Sequence, residues 1–241
     1  MDMLKAMNIL KEDLKTSTEP TNRISVRDKV LTFYSQGRGI PKGRIIQFYG
    51  KPDCGKTSVA KEIIRKNHDK AFVYISSKKD DINKIGFMNT TVLLSNIFEN
   101  TINYISRIQK DCVDFVVIDN INNMVSKEEL LSAFTKQTDN REILNRYIKK
   151  LSLLAAQKNF SILIFNGING VTNKAKYGHI IEKEAIANFE VQRLGFATYR
   201  NINQSEEVHG LNVHIVPQRS LLSPIKNENT FTIKFSNSSW D

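Results

Sequence analysis

An α/β fold is what this sequence predicts: a mostly parallel central sheet flanked by helices, with antiparallel strands added near the C-terminus. Three observations carry that expectation. Continuous apolar runs at 71–75, 114–120 and 161–166 alternate with helical stretches of ten or more residues, the pattern of βαβ units with right-handed crossovers. The run Gly43-Arg44-Ile45-Ile46-Gln47-Phe48-Tyr49 leads straight into Gly50-Lys51-Pro52-Asp53-Cys54-Gly55-Lys56-Thr57, which satisfies G-x-x-x-x-G-K-[ST] between a strand and a helix-prone stretch. From about residue 189 the period changes to two, at 189–194, 211–216 and 230–235, with polar turns between the runs, as expected of antiparallel strands extending the sheet.

The elements follow in order. Leu4, Met7, Leu10 and Leu14, spaced by three and four, make an amphipathic helix with Lys5, Lys11, Glu12 and Lys15 on its wet face. A polar, Pro-containing linker at 16–22 follows, so this helix either packs on its own domain or docks on a neighbouring subunit. A helix at about 26–36 leads to the turn-rich stretch 37–43 and the first core strand. After the phosphate loop, the helix-prone stretch 58–64 precedes the buried strand 71–75. A helix at 96–110 precedes the strand 114–120, and a helix at about 142–158 precedes the strand 161–166. Ligand then belongs at the carboxyl ends of these strands.

At 241 residues the chain fits one large α/β domain with at most a small appendage. Its two cysteines, Cys54 and Cys112, lie far apart, and its four histidines show no ligand spacing, so neither a disulfide framework nor a zinc site is indicated. No 18-residue apolar run or signal-like leader occurs, so a soluble, intracellular, cytoplasmic protein with no membrane partner is expected. A net charge of +10 and a pI near 9.5 point to a polyanion, with nucleic acid the first candidate.

The phosphate loop has a direct chemical reading. Gly50 and Gly55 let successive N–H groups turn toward phosphate oxygens, and the helix opening at Lys56 adds the positive end of its dipole. Lys56 is expected to reach the β and γ phosphates, and Thr57 to place its hydroxyl on Mg²⁺. The nucleotide-contacting set is therefore Gly50, Lys51, Pro52, Asp53, Cys54, Gly55, Lys56, Thr57 and Ser58. Asp119, closing an apolar strand downstream, is the expected carboxylate partner of the metal, directly or through water.

Taken in order, Gly39-Ile40-Pro41-Lys42-Gly43-Arg44-Ile45, the loop at 50–57, the strand 115–119 and Glu190-Val191-Gln192-Arg193-Leu194-Gly195 resemble landmarks of the RecA family of DNA strand-exchange ATPases. The later runs Val213-His214-Ile215-Val216-Pro217-Gln218-Arg219 and Phe231-Thr232-Ile233-Lys234-Phe235 continue the match, which extends from about residue 27 to 235. The resemblance implies a RecA-like P-loop NTPase core at 25–241, preceded at 1–24 by a helix and linker that pack on the adjacent subunit. It implies ATP and Mg²⁺ as cofactors, ATP being held between neighbours in a helical homo-oligomeric filament on single-stranded DNA, with duplex DNA a further partner. Two DNA loops are implied, one near 134–141 carrying Lys136 and Arg141, the other between 168 and 184 carrying Lys174, Lys176, Tyr177 and His179. There cations can neutralise phosphates while rings offer stacking faces; read without the family, the second stretch is only a polar basic loop.

Three departures bear on activity. The position of the family's water-activating glutamate is Ser76, a poor general base near neutral pH, for which Asp80 or Asp81 are the candidate substitutes. Where the family places a γ-phosphate-sensing glutamine after the strand 162–165, this chain has Asn166 followed by Gly167. Of two basic residues that reach into the neighbour's ATP site, one is replaced by Pro217 and the other by Arg219, which is left to act in trans. Nucleotide binding should survive these changes, with slower hydrolysis and looser coupling to DNA. The chain stops at Asp241, and the resemblance then implies a core without the carboxyl-terminal DNA-gathering domain, an outline shared by compact RecA-like proteins of viruses. The leading expectation is a DNA-dependent recombination ATPase promoting pairing, strand exchange or annealing. The alternatives are an ATP-gated DNA-binding or mediator protein with little hydrolysis, and a ring-forming helicase. A metabolic kinase would leave the basic charge unexplained.

Overall fold

The computed structural model describes residues 22–78, 89–126, 140–170, 172, 174–200, 207–222 and 228–234. The expected N-terminal helix, Asp80, Asp81 and Lys136 lie outside these residues. Apolar runs too short for helices form the centre of one sheet: β3 (Ile45–Gly50), β4 (Phe72–Ser76), β6 (Phe115–Asp119) and β7 (Ser161–Gly167). Both faces of these strands are buried, which is why their sequences run apolar without alternation. A two-stranded ladder, β1 (Arg23–Ile24) with β2 (Ile40–Pro41), precedes them, so Ile24 already lies in the packed body.

The sheet is completed by β5 (Thr90–Leu94), β8 (Ala185–Arg200), β9 (Glu207–Ser220) and β10 (Asn229–Lys234), in the order β10-β9-β8-β3-β7-β6-β4-β5. Pairing is parallel from β5 to β8 and antiparallel from β8 through β9 to β10. The parallel arrangement therefore extends one strand further than the period-two pattern indicated. The cause is the short helix α5 (Gly178–Glu184), which gives the chain a crossover between β7 and β8. The edge strand β5 also went unforeseen; its half-exposed Thr90-Thr91-Val92-Leu93-Leu94 lacks the apolar density of a central strand.

Helices α1 (Lys29–Tyr34) and α2 (Lys56–Lys66) cover one face, and α3 (Phe98–Arg107), α4 (Asn140–Lys158) and α5 the other. On α2 the buried side chains Val59, Ala60, Ile63 and Ile64 recur at helical spacing, and on α4 Leu144, Ile148, Leu151 and Ala155 do the same. The first face is held by an aromatic chain: Phe48 stacks on Phe165 at 5.1 Å and on Phe189 at 5.2 Å, and Phe189 meets Tyr34 at 4.5 Å. Burying each such ring contributes about 1.5–3 kcal/mol. These contacts tie β3 between β7 and β8, so the loop leaving β3 starts from a rigid base.

Candidate nucleotide-binding site

Parallel register brings the functional strand ends together. Gly50 pairs with Gly167, and Asp119 pairs with Ser76 on one side and Phe165 on the other. The loop beyond Gly50 then turns into α2 through Gly55, at φ 98°. A side chain is excluded there twice over: its backbone is left-handed, and a Cβ would meet Leu211 Cδ2 at 2.5 Å. Gly50 is constrained by contact alone, since a Cβ would stand 2.3 Å from the Val191 carbonyl oxygen. Because Gly55 supplies no side-chain cap, the first N–H groups of α2 are left to a ligand at the positive end of the helix.

Lys56 folds its ammonium back over the loop, donating to the carbonyls of Gly50 at 3.0 Å and Lys51 at 2.6 Å. Thr57 Oγ1 donates to Asp119 Oδ2 at 2.7 Å, and Tyr74 Oη donates to the same oxygen at 2.6 Å. A hydroxyl and a buried carboxylate thus converge from α2 and β6, both hard oxygen donors. That set fits Mg²⁺, which takes one or two protein oxygens and leaves its other positions to phosphate and water. Among the described residues no group of three or more His, Cys, Asp or Glu could cage a metal.

These groups face a cavity of about 640 Å³, large enough for a nucleotide. Pro52, Asp53, Gly55, Lys56, Thr57, Ser58 and Asp119 line it, as the sequence leads one to expect. Cys54 lies beneath the loop, 5% exposed, and burial pushes its thiol pKa up against the opposing influence of Lys56. It is a small residue that fits, and burial disfavours its thiolate form. The wall further includes Lys78, Asn122, Asn123, Lys176, Arg193 and Phe196, which motif reasoning did not place there. Four cations, Lys56, Lys78, Lys176 and Arg193, then face two carboxylates, Asp53 and Asp119, a balance suited to a polyphosphate.

The RecA N-terminal domain model matches residues 15–238. The chain belongs to the RecA family. It is similar to Protein RecA of Rhizobium etli, 21% identical over 215 residues covering 82% of this chain and 58% of the relative. It is similar also to DNA repair protein recA homolog 3, mitochondrial, of Arabidopsis thaliana, 23% identical over 82% of this chain and 50% of that protein. Protein RecA of Thermus thermophilus is 24% identical over 82% of this chain and 62% of its own. The chain therefore spans about half to three-fifths of the length of these relatives.

Against that family pattern, Ser76 is buried at the cavity wall, its Oγ accepting the Lys78 N–H at 3.1 Å. A hydroxyl so engaged activates no water near neutral pH. At the end of β7, Asn166 Nδ2 donates to the Lys176 carbonyl at 2.7 Å, and Gly167 passes close to Asn122. Arg219 is exposed on β9, its Nη1 donating to the Glu182 carbonyl at 3.1 Å, outside the cavity of its own chain.

Described residues between β7 and β8 are joined by backbone hydrogen bonds. Ile168 bridges Ala175, the Asn169 N–H donates to the Lys174 carbonyl, and α5 follows. Lys174 and His179 are exposed, whereas Tyr177 packs against the core with φ 54°. Arg141 is exposed in the first turn of α4, away from the cavity. Sequence reasoning also passed over Asn122 and Asn123, although Asn120-Ile121-Asn122-Asn123 directly after Asp119 was a visible signal of polar residues at a strand's carboxyl end. No helix among the described residues is long and apolar enough to cross a membrane.

Proposed function

We propose that this chain is an ATP-dependent recombination protein that binds single-stranded DNA, assembles into a helical filament of its own copies and promotes homologous pairing, strand exchange or annealing. The observation that carries the nucleotide half is the convergence of Lys56, Thr57 and Asp119 on one cavity, with Thr57 and Asp119 in direct contact. Membership of the RecA family and the net charge of +10 support the DNA half. Mg²⁺, when bound with ATP, would neutralise charge on the β and γ phosphates. Lys56 holds the terminal phosphates, α2 directs its free N–H groups at them, and Asp119, oriented by Tyr74, keeps the metal oxygens in place. Arg219 serves a neighbouring subunit's site, where one more cation stabilises charge on the transferred γ-phosphoryl group.

A second reading, an ATP-gated DNA binder with little turnover, is favoured by the engagement of Ser76 with the Lys78 backbone. The two separate when ATP hydrolysis is measured with and without single-stranded DNA at low and moderate salt, with the same samples viewed by electron microscopy. Helical filaments with DNA-stimulated turnover support the recombinase, filaments that need ATP but barely hydrolyse it support the gated binder, and closed rings would support a helicase. Lys56→Ala is expected to abolish ATP-dependent DNA binding; full filament formation by that variant at saturating ATP would refute the proposal.

A further inference from the structure

The carboxylate that closes β6 is held by two hydroxyls of different origin. Asp119 is 3% exposed, and Thr57 Oγ1 at 2.7 Å and Tyr74 Oη at 2.6 Å both donate to one of its oxygens, Oδ2. Thr57 comes from the helix that opens the phosphate loop, whereas Tyr74 comes from the apolar core. On β4, Tyr74 lies opposite Val117 of β6, so its phenol reaches two residues along the neighbouring strand to the strand end. The ring is 0% exposed and packs in one cluster with Phe72, Phe115 and Val117. Phe72, two residues earlier on the same strand, takes its place in that cluster with no hydroxyl. Packing therefore explains the ring at position 74 but not its oxygen, which is set against the carboxylate.

The two hydrogen bonds fill the lone-pair sites of Oδ2. A cation takes that oxygen as a direct ligand only by displacing one of them. Both bonds run from a neutral hydroxyl to a charged acceptor, the stronger kind, and each draws charge from the carboxylate and weakens it as a metal ligand. Thr57 is not weakened in this way, because a hydroxyl that donates its proton keeps two lone pairs for a cation. Divalent ions answer such a site differently. Mg²⁺ gives up its waters reluctantly and needs few protein oxygens beside the phosphates, whereas Ca²⁺ takes about six to eight oxygens and gains from carboxylates bound directly.

We propose that Tyr74 sets the ion preference of the nucleotide site: by holding Asp119 Oδ2 it keeps that oxygen from ligating directly, so that a nucleoside triphosphate is bound with a water-rich Mg²⁺ in preference to Ca²⁺. The inference rests on the nucleotide site described above. Tyr74 acts through Asp119, so it is a positioning residue. Removing its hydroxyl leaves Oδ2 with the Thr57 bond and one lone-pair site open to a cation. Ca²⁺ gains a direct ligand by that change, whereas Mg²⁺, held through its waters, gains little.

The test uses the full chain and its Tyr74→Phe variant, which keeps the ring and removes one oxygen. Each is titrated with Mg²⁺ or with Ca²⁺ at a fixed concentration of ATPγS, and equilibrium nucleotide binding is the readout, so no turnover is needed. Tyr74→Phe is expected to lower the Ca²⁺ concentration for half-saturation about tenfold, the scale on which groups one hydrogen bond away from a metal alter its affinity. The Mg²⁺ value should stay nearly constant, which also shows that the variant is folded. A Mg²⁺-to-Ca²⁺ ratio unchanged by Tyr74→Phe would overturn the proposal while leaving the nucleotide site intact. An equal loss with both ions would overturn it too, because a phenol that merely supports the fold affects the two alike. Failure of the unaltered chain to bind ATPγS with either ion would overturn the site and this inference with it.

Discussion

At Gly167 a Cβ would stand 2.4 Å from the end of the Asn122 side chain, whereas at Gly50 it would stand 2.3 Å from the Val191 backbone oxygen. The distances are nearly equal, yet the consequences differ. An amide can rotate away at some loss of packing; a carbonyl in the β8 ladder cannot move without its strand. Gly167→Ala should therefore cost about 1 kcal/mol, and Gly50→Ala about 3 kcal/mol or more, near the upper end for overpacking. Denaturant midpoints would check the ranking, and Asn122→Ala should rescue Gly167→Ala and leave Gly50→Ala unimproved. This difference was hidden in the sequence, where both positions are simply glycines after apolar runs. The phosphate-loop motif explains why Gly50 is small, but the contact at Gly167 depends on residues 45 positions apart meeting across a strand end.

Helix α1 shows the same interplay at the scale of an element. Six residues cannot hold a helix alone, and this one is anchored by Asp28, whose Oδ1 accepts the Leu31 N–H at 2.7 Å while Oδ2 accepts from Asn67 Nδ2 at 2.9 Å. The cap thus joins α1 to the end of α2. Burial, partly offset by the Leu31 and Asn67 hydrogen bonds, raises the Asp28 pKa from 3.8 to about 6. A raised pKa means that the fold prefers the protonated carboxyl, so its contribution is full below about pH 4 and declines as pH rises through about 6. The decline amounts to roughly 2–3 kcal/mol. Unfolding curves of the unaltered chain and of Asp28→Asn, compared from about pH 4 to pH 7, should show the unaltered chain losing that much relative to the variant. The variant is itself expected to be weakened by about 1–2 kcal/mol, because its new amide would face the Asn67 amide donor. Among the elements, central strands were readable because both faces are buried and their composition is uniform. Strand β5 and helix α5 were missed because one is a half-exposed edge and the other has only seven residues, so neighbours decide their state more than local preference does.

For the whole molecule, the charge of +10 acts at a distance while the cavity at the phosphate loop acts by contact. Single-stranded DNA binding should weaken linearly in log salt, and Lys174→Ala should reduce that slope by about 0.7 without changing nucleotide affinity; fluorescence anisotropy across a salt series would measure it. A slope unaffected by Lys174→Ala would move the DNA-contacting surface elsewhere. The α/β class, the order of the central strands along the chain, the phosphate loop and Asp119 could all be read from residues in succession, because each depends on local pattern: apolar period, glycine spacing, a carboxylate ending a strand. The wall of the site could not. Tyr74 on Asp119, Asn122 under Gly167, Leu211 against Gly55 and the placing of Lys176 in the same cavity wall as the phosphate loop arise from sheet register and strand order. These join residues far apart in the chain through packing that no local segment encodes.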